Sequence, residues 1–190
     1  MRERGLTLIE VLVAMGIAVV AGSLLVVIMV NSAGFFTNQS SKMQQGLNIN
    51  DSLLQVRNSI KQASAVAVSY TSGPTTYTTG SNLLVLKVLS IDSLNNLIDD
   101  TYDYFVFFRD QNLLRFKTFP NPASSRKSSD RIFSTIVDSI NFQYFNSAIP
   151  PVEVAPASAT NVRVSLSLRQ KNGLKYEIKT GTSEANLRND

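Results

Sequence analysis

Residues 5–30 read GLTLIEVLVAMGIAVVAGSLLVVIMV, and this stretch decides the class of the protein. From Val11 to Val30 it carries no charge, and Ser23 is its only hydroxyl. Twenty apolar residues in a helix span roughly 30 Å, the hydrocarbon thickness of a bilayer. The rest of the chain is polar and has the composition of a globular domain. The sequence therefore predicts a membrane-spanning helix, residues 6–30, joined to a globular domain.

Three interpretations of this N-terminus compete. A secretory signal peptide has an apolar core of about 7 to 15 residues, whereas this run is longer and Glu10 interrupts its start. A plain membrane anchor explains the length but not Glu10, because a carboxylate costs on the order of 2–3 kcal/mol at the bilayer centre and less near an end. The third interpretation is a membrane helix whose carboxylate has a partner.

The basic residues Arg2 and Arg4 stand directly before the apolar run. The positive-inside rule then places the N-terminus in the cytoplasm. We expect a single pass through the cytoplasmic (inner) membrane, with the globular part on the outer face.

The third interpretation fits a known family. Gly5-Leu6-Thr7-Leu8-Ile9-Glu10 resembles the prepilin processing motif of type IV pilins and type II secretion pseudopilins. That motif has a glycine, a cut after it, a hydrophobic first mature residue and a glutamate at the fifth mature position. Gly5, Leu6 and Glu10 match it, although phenylalanine is commoner than leucine at the first mature position.

The resemblance implies a route of maturation and assembly. A prepilin peptidase would remove the leader, residues 1–5, and the new amine of Leu6 would be N-methylated. An inner-membrane assembly platform would then build the subunit into a filament. There the Glu10 carboxylate would neutralise a Leu6 amine, its own or a neighbour's, as an ion pair strongly attractive in low dielectric.

Helical periodicity continues beyond the membrane segment, into residues 31–65. Apolar residues recur every three or four positions, which is typical of one helix face: Met43 and Leu47, then Ile49, Leu53, Val56, Ile60 and Ala63. Gly34 and Gly46 are expected bends, since glycine costs about 1 kcal/mol relative to alanine in a helix. We predict a helix over residues 6–64.

The remainder, residues 66–190, has the patterns of strands. Residues 71–81 are rich in Thr and Gly and are expected to form a loop. Strands are predicted at 82–89, 102–108, 113–119, 140–145, 162–168 and 175–179, whereas 132–137 is ambiguous. Hairpin turns are expected at Arg109–Asn112 and Gln170–Gly173. The fold class is thus α+β, and the resemblance implies a pilin-like lollipop with the helix packed on an antiparallel sheet.

The globular region also resembles a subgroup, the J-type minor pseudopilins and the W-type minor pilins. The similarity lies in the 102–119 hairpin, the INFQYF strand at 140–145, the Pro-rich insert at 148–158 and the tail Glu184–Asn189. It implies a low-copy subunit.

Composition excludes several enzyme classes. With no cysteine and no histidine, disulfides, Cys/His zinc sites and Ser-His-Asp or Cys-His catalysis are absent. The sequence has no phosphate-binding glycine loop either. We predict no catalytic residues and no cofactor.

Two polar clusters remain as candidate binding sites. Arg126, Lys127 and Arg131 form a basic Ser-rich segment in a chain of net charge +4, interpreted either as a solvated loop or as a contact for nucleic acid or another anionic surface. Asp99, Asp100 and Asp103 lie in an oxygen-rich stretch without EF-hand spacing, interpreted either as a solvated loop or as weak calcium ligands, and we predict no metal site.

Three functions therefore stay open. The first is a structural filament subunit, with other subunits, the peptidase, the platform and membrane lipid as partners. The second is a minor pilin displayed at a tip that acts as an adhesin or binds DNA or a secreted substrate. The third is an unprocessed single-pass anchor.

Overall fold

The computed structural model describes residues 7–172 and 175–188. The chain divides into two compact units, Met1–Met43 and Gln44–Asp190. A single helix, α1, spans Leu8–Gln62. The helix continues through Gly34 and Gly46, so neither glycine ends it. The predicted helix is confirmed, with its C-terminal end two residues earlier than expected.

The rest of the second unit is built mainly from ten strands. They are β1 (Ala63–Val66), β2 (Ser69–Ser72), β3 (Thr75–Thr78), β4 (Leu83–Ile91), β5 (Leu97–Asp110), β6 (Leu113–Phe119), β7 (Ser129–Ser134), β8 (Val137–Phe145), β9 (Asn161–Asn172) and β10 (Lys175–Asn186). One turn of 3-10 helix covers Pro156–Ser158.

The strands form three antiparallel sheets. A five-stranded sheet has the order β1-β4-β5-β6-β7, a three-stranded sheet the order β10-β9-β8, and β2 and β3 pair with each other. The fold is therefore a long apolar N-terminal helix combined with antiparallel sheets, an α+β class. This agrees with the sequence prediction at that level.

Most strand predictions are confirmed. Residues 113–119 coincide with β6, and the other five predicted strands lie within β4, β5, β8, β9 and β10 or overlap them. The ambiguous stretch 132–137 is divided between the end of β7 and the start of β8. Both predicted hairpins form, since β5 pairs with β6 and β9 with β10. The predicted turns were too long, because the strands stay paired as far as Asp110 and Asn172. Gly173 itself lies outside the described residues.

The loop predicted at residues 71–81 is wrong over most of its length. Those residues contain part of β2 and all of β3, a hairpin that turns at Gly73 with a φ of +57°. The hairpin forms because its tyrosines pack on aromatic rings of the five-stranded sheet. The Tyr70 and Tyr104 rings are stacked at 4.3 Å, and the Tyr77 ring lies 5.5 Å from that of Phe119. The hairpin thus covers the outer face of that sheet.

The main core lies between the C-terminal part of α1 and the inner faces of both large sheets. The predicted helix face is confirmed at Ile49, Leu53, Val56, Ile60 and Ala63, which are all buried. The side chains of Met43 and Leu47 lie outside the described ones. The sheets contribute alternate apolar residues, among them Leu84, Leu86, Phe107, Leu114, Phe142, Val164 and Leu166.

The helix α1 approaches β10 closely at Gly181. A Cβ atom at this position would collide with Cγ2 of Ile49 and lie 2.9 Å from Cδ1 of Leu53. Both helix residues are buried and cannot move aside freely. We expect Gly181→Ala to lower the free energy of unfolding by about 1–3 kcal/mol through overpacking.

Urea denaturation of the purified chain, followed by circular dichroism, measures this effect. Gly80→Ala is the matched control, because a Cβ at Gly80 has nothing within 4 Å. The control should change the free energy of unfolding by less than about 0.5 kcal/mol. Equal stabilities of the two variants would show that α1 does not pack on β10 at this point.

Candidate functional site

The first residue pair of interest lies at the start of α1. Thr7 precedes the helix and Glu10 is in its first turn. The backbone N–H and the hydroxyl of Thr7 each lie 2.9 Å from Oε2 of Glu10, and the N–H of Glu10 lies 3.4 Å from the Thr7 hydroxyl oxygen. This is a capping box, in which each residue satisfies backbone donors of the helix end. Glu10 therefore has a polar partner within its own chain.

The helix that follows is apolar and exposed. Leu8–Ala33 is long and apolar enough to cross a membrane, and none of its most apolar window is buried within the chain. Glu10 is its only ionisable side chain. The hydroxyl of Ser23 donates to the carbonyl of Val20 at 2.8 Å, so this polar group is satisfied inside the helix. Gly5 and Leu6 lie outside the described residues.

The basic segment predicted from the sequence is divided by the structure into two parts with different surroundings. Arg126 points inward, where its Nη1 lies 2.6 Å from Oδ2 of Asp103 and also donates to the carbonyl of Leu89. The Asp103 side chain is fully buried, and that of Arg126 is 18% exposed. Arg126 therefore has a structural role and is not a free surface cation. Lys127 and Arg131 are exposed and make no ion pair among the described residues.

Asp103 is held by more than one donor. Its Oδ1 accepts hydrogen bonds from the Ser90 hydroxyl and the Asn121 N–H, and its Oδ2 accepts one from the Ser124 hydroxyl, each at 2.8 Å. Burial raises the pKa of Asp103, but these hydrogen bonds and that of Arg126 outweigh burial, so the net pKa is lowered. The carboxylate fastens the segment between β6 and β7 to the five-stranded sheet.

The calcium candidates do not come together as a metal site. Both carboxylate oxygens of Asp103 are occupied by the donors just described, and its side chain faces the interior. Asp99 and Asp100 are exposed. Within residues 7–172 and 175–188, no group of three or more acidic, His or Cys side chains is arranged to hold a metal ion.

Lys127 and Arg131 line an open groove, which we name the α1–β7 groove. It has a volume of about 590 Å³ and lies between α1 and the edge of the five-stranded sheet. Gln55, Asn58 and Ser59 of α1 form one wall. The phenyl rings of Phe105, Phe116 and Phe133 form its floor, where the Phe116 and Phe133 rings are stacked at 5.2 Å. Two of the three basic residues singled out from the sequence thus present free charges to this groove.

Several residues of this site gave no usable signal in the sequence. Ser90, Asn121 and Ser124 are ordinary polar residues, and their role depends on long-range contacts with Asp103. The Thr7–Glu10 pair, by contrast, has the three-residue spacing of a capping box, which is visible in the sequence.

Comparisons with known proteins give no family. No family model matches the chain. A search of curated proteins finds no match either.

Proposed function

We propose that this chain is a structural subunit, of the low-copy kind, in a type IV pilus or a type II secretion pseudopilus. In this proposal a prepilin peptidase cuts between Gly5 and Leu6, and the Leu6 amine is methylated. The mature subunit then assembles through α1. The observation that carries the proposal is a single carboxylate, Glu10, fixed at the first turn of Leu8–Ala33, an otherwise uncharged and exposed apolar segment of α1.

The apolar surface of this helix supports an assembly role. Residues such as Leu8, Ile17, Val19 and Met29 are more than half exposed, although large apolar side chains are normally buried. Lipid covers such a surface in a membrane, and other apolar helices cover it in a filament. The same helix surface can therefore pass from lipid to a filament with no conformational change of the subunit.

Glu10 supports a filament over a plain anchor. In a plain anchor the carboxylate would serve only as the cap of the helix, and it would still cost free energy in hydrocarbon. A helix that leaves the membrane to pack against neighbours can use the charge, because a neighbour's Leu6 amine at the same depth neutralises it. Such a pair fixes the axial register between helices. The N-terminus lies in the cytoplasm and the second unit lies outside in this arrangement.

A second role, the tip-displayed binding module that contacts a surface, DNA or a secreted substrate, is favoured by the α1–β7 groove. The groove is a concave, positively charged surface on the second unit. Both roles are compatible in one minor subunit.

Processing of a Gly5→Lys variant tests the proposal. A lysine side chain at the residue before the cut cannot enter a protease cleft that accepts glycine. We expect co-expression with a prepilin peptidase to shorten the natural chain on a gel and to leave Gly5→Lys at full length. Gly80→Lys is the control, since this glycine lies in open space far along the chain from the cut. A Gly5→Lys chain that is shortened normally would contradict the assignment of the cleavage site.

A further inference from the structure

We propose that the α1–β7 groove binds an extended acidic segment of a partner protein, which adds as a strand to the outer edge of β7. The inference rests on the second unit alone and does not depend on how the N-terminus is processed. It follows from the charge of the groove, the free edge beside it and the direction of the β7 side chains.

The charge of the groove is positive and uncompensated. No aspartate or glutamate is among the residues that line it. The Arg126 charge is neutralised by Asp103, and the nearby Asp130 is paired with Arg115 and Lys117. Lys127 and Arg131 are left as two exposed cations without an anionic partner in the described part of the chain. A ligand that carries carboxylates would neutralise these two positive charges.

The edge of β7 is free to pair. β7 is the last strand of the five-stranded sheet, and no other described element forms a ladder with its outer side. The hydroxyl of Ser52 on α1 donates to the carbonyl of Phe133 at 3.1 Å and covers the end of the strand. Ser129–Ile132 remain uncovered. Exposed strand edges of this kind pair with extended peptides through main-chain hydrogen bonds.

The side-chain directions then specify the ligand. Ser129 and Arg131 of β7 line the groove from the same face of the strand. Phe133 lies in a bulge of β7, and its ring also lines the groove, packed on that of Phe116. Alternate side chains of an added strand point to that face too and enter the groove. There an acidic side chain meets Arg131 or Lys127, and an apolar one meets Phe133. The preferred segment therefore has acidic and apolar residues at every second position.

Nucleic acid fits the same groove less well. Affinity for nucleic acid comes largely from the neutralisation of phosphates by Lys and Arg, whereas this groove offers two free cations. Single strands also need exposed rings on which bases stack. The floor residues Phe105 and Phe116 are only 7% and 8% exposed.

Binding of labelled peptides to the full chain in neutral detergent micelles tests the proposal. The probe is fluorescein-TETETFT, in which alternate residues are acidic or aromatic, and anisotropy is the readout. TKTKTFT reverses its charge, and TEETTFT keeps its composition without the alternation. We expect TETETFT to bind at least tenfold more tightly than either. Amide hydrogen exchange should slow at Ser129–Ile132 when TETETFT is bound.

Charge reversal on the protein completes the test. Lys127→Glu combined with Arg131→Glu should weaken binding at least tenfold. Arg57→Glu combined with Lys61→Glu is the matched control, since these two exposed residues line a different pocket, and binding should be unchanged. The proposal is overturned if the lysine peptide binds equally well, if the reversal at 127 and 131 has no effect, or if the bound peptide protects no amide of β7. Binding of a single-stranded oligonucleotide in place of the peptide would also overturn it.

Discussion

Asp103→Asn is expected to lower the free energy of unfolding by about 3 kcal/mol, near the lower end of the range for breaking a buried ion pair. The substitution removes the charge but keeps the shape, so Arg126 is left without its counter-charge. The value lies at the lower end because the Arg126 side chain is 18% exposed and therefore stays partly hydrated. For a chain of this length, 3 kcal/mol corresponds to a drop in Tm of roughly 6–12 °C. Thermal unfolding followed by the near-ultraviolet signal of the tyrosines measures it.

Asp138→Asn is the matched control for this prediction. Asp138 pairs with Arg169 at 3.2 Å, but both side chains are partly exposed, at 29% and 54%. A surface pair of this kind contributes about 0–1 kcal/mol. If the free energy of unfolding falls by the same small amount in both variants, the Asp103–Arg126 pair does not hold the segment between β6 and β7 in place.

The pH profile of Asp103→Asn gives a second readout. Because the pKa of Asp103 is lowered in the folded state, its contribution to stability is present above the unfolded carboxyl pKa of about 3.9. This contribution is lost as the pH falls through the lower folded value. The natural chain and the variant should therefore differ most in stability near neutral pH and converge in acid. A constant difference over this range would contradict the ion-pair account.

Glu10→Leu is expected to abolish incorporation into filaments while leaving membrane insertion and cleavage intact. The substitution removes the one charge from Leu8–Ala33, so the free energy of insertion should improve by up to about 2–3 kcal/mol. In the proposed filament it also removes the partner of the Leu6 amine, and that amine would enter the filament core uncompensated. We expect at least a tenfold fall in the amount of subunit in sheared filaments, measured by immunoblot.

Two further variants separate the charge of Glu10 from its capping role. Glu10→Gln keeps a hydrogen-bond acceptor for Thr7 but has no charge, and it should fail like Glu10→Leu. Thr7→Ala removes the capping hydroxyl and keeps the charge. It should lower helix stability by only about 0.5–2 kcal/mol and permit assembly. The reverse result, with Glu10→Gln assembling and Thr7→Ala failing, would show that capping and not charge is the essential function.

Sequence patterns predicted the elements whose signals are local. The apolar run at residues 11–30 and the three- and four-residue spacing from Ile49 to Ala63 gave the helix, because these periods depend only on the chain itself. Strands at 113–119 and 140–145 alternate between core and surface, and this alternation is also local. Glu10 could be singled out because one carboxylate in an apolar run is conspicuous.

What the patterns missed depends on contacts between distant residues. The β2–β3 hairpin is Thr- and Ser-rich, and the aromatic rings that hold it belong to β5 and β6. Arg126 looks like a surface cation in sequence, yet its partner Asp103 lies 23 positions earlier. The sequence around Gly181 has no turn pattern. Glycine is required at this position because α1 packs closely on β10 there. Such features become visible only when the elements are packed together.

The mature N-terminus of the chain, determined by mass spectrometry after co-expression with a prepilin peptidase, tests the central proposal most directly. The proposal predicts a chain that begins at Leu6 and carries one added methyl group on its amine. A chain that still begins at Met1 would contradict it, and the protein would then be a membrane-anchored β-rich domain with Glu10 as the cap of its helix.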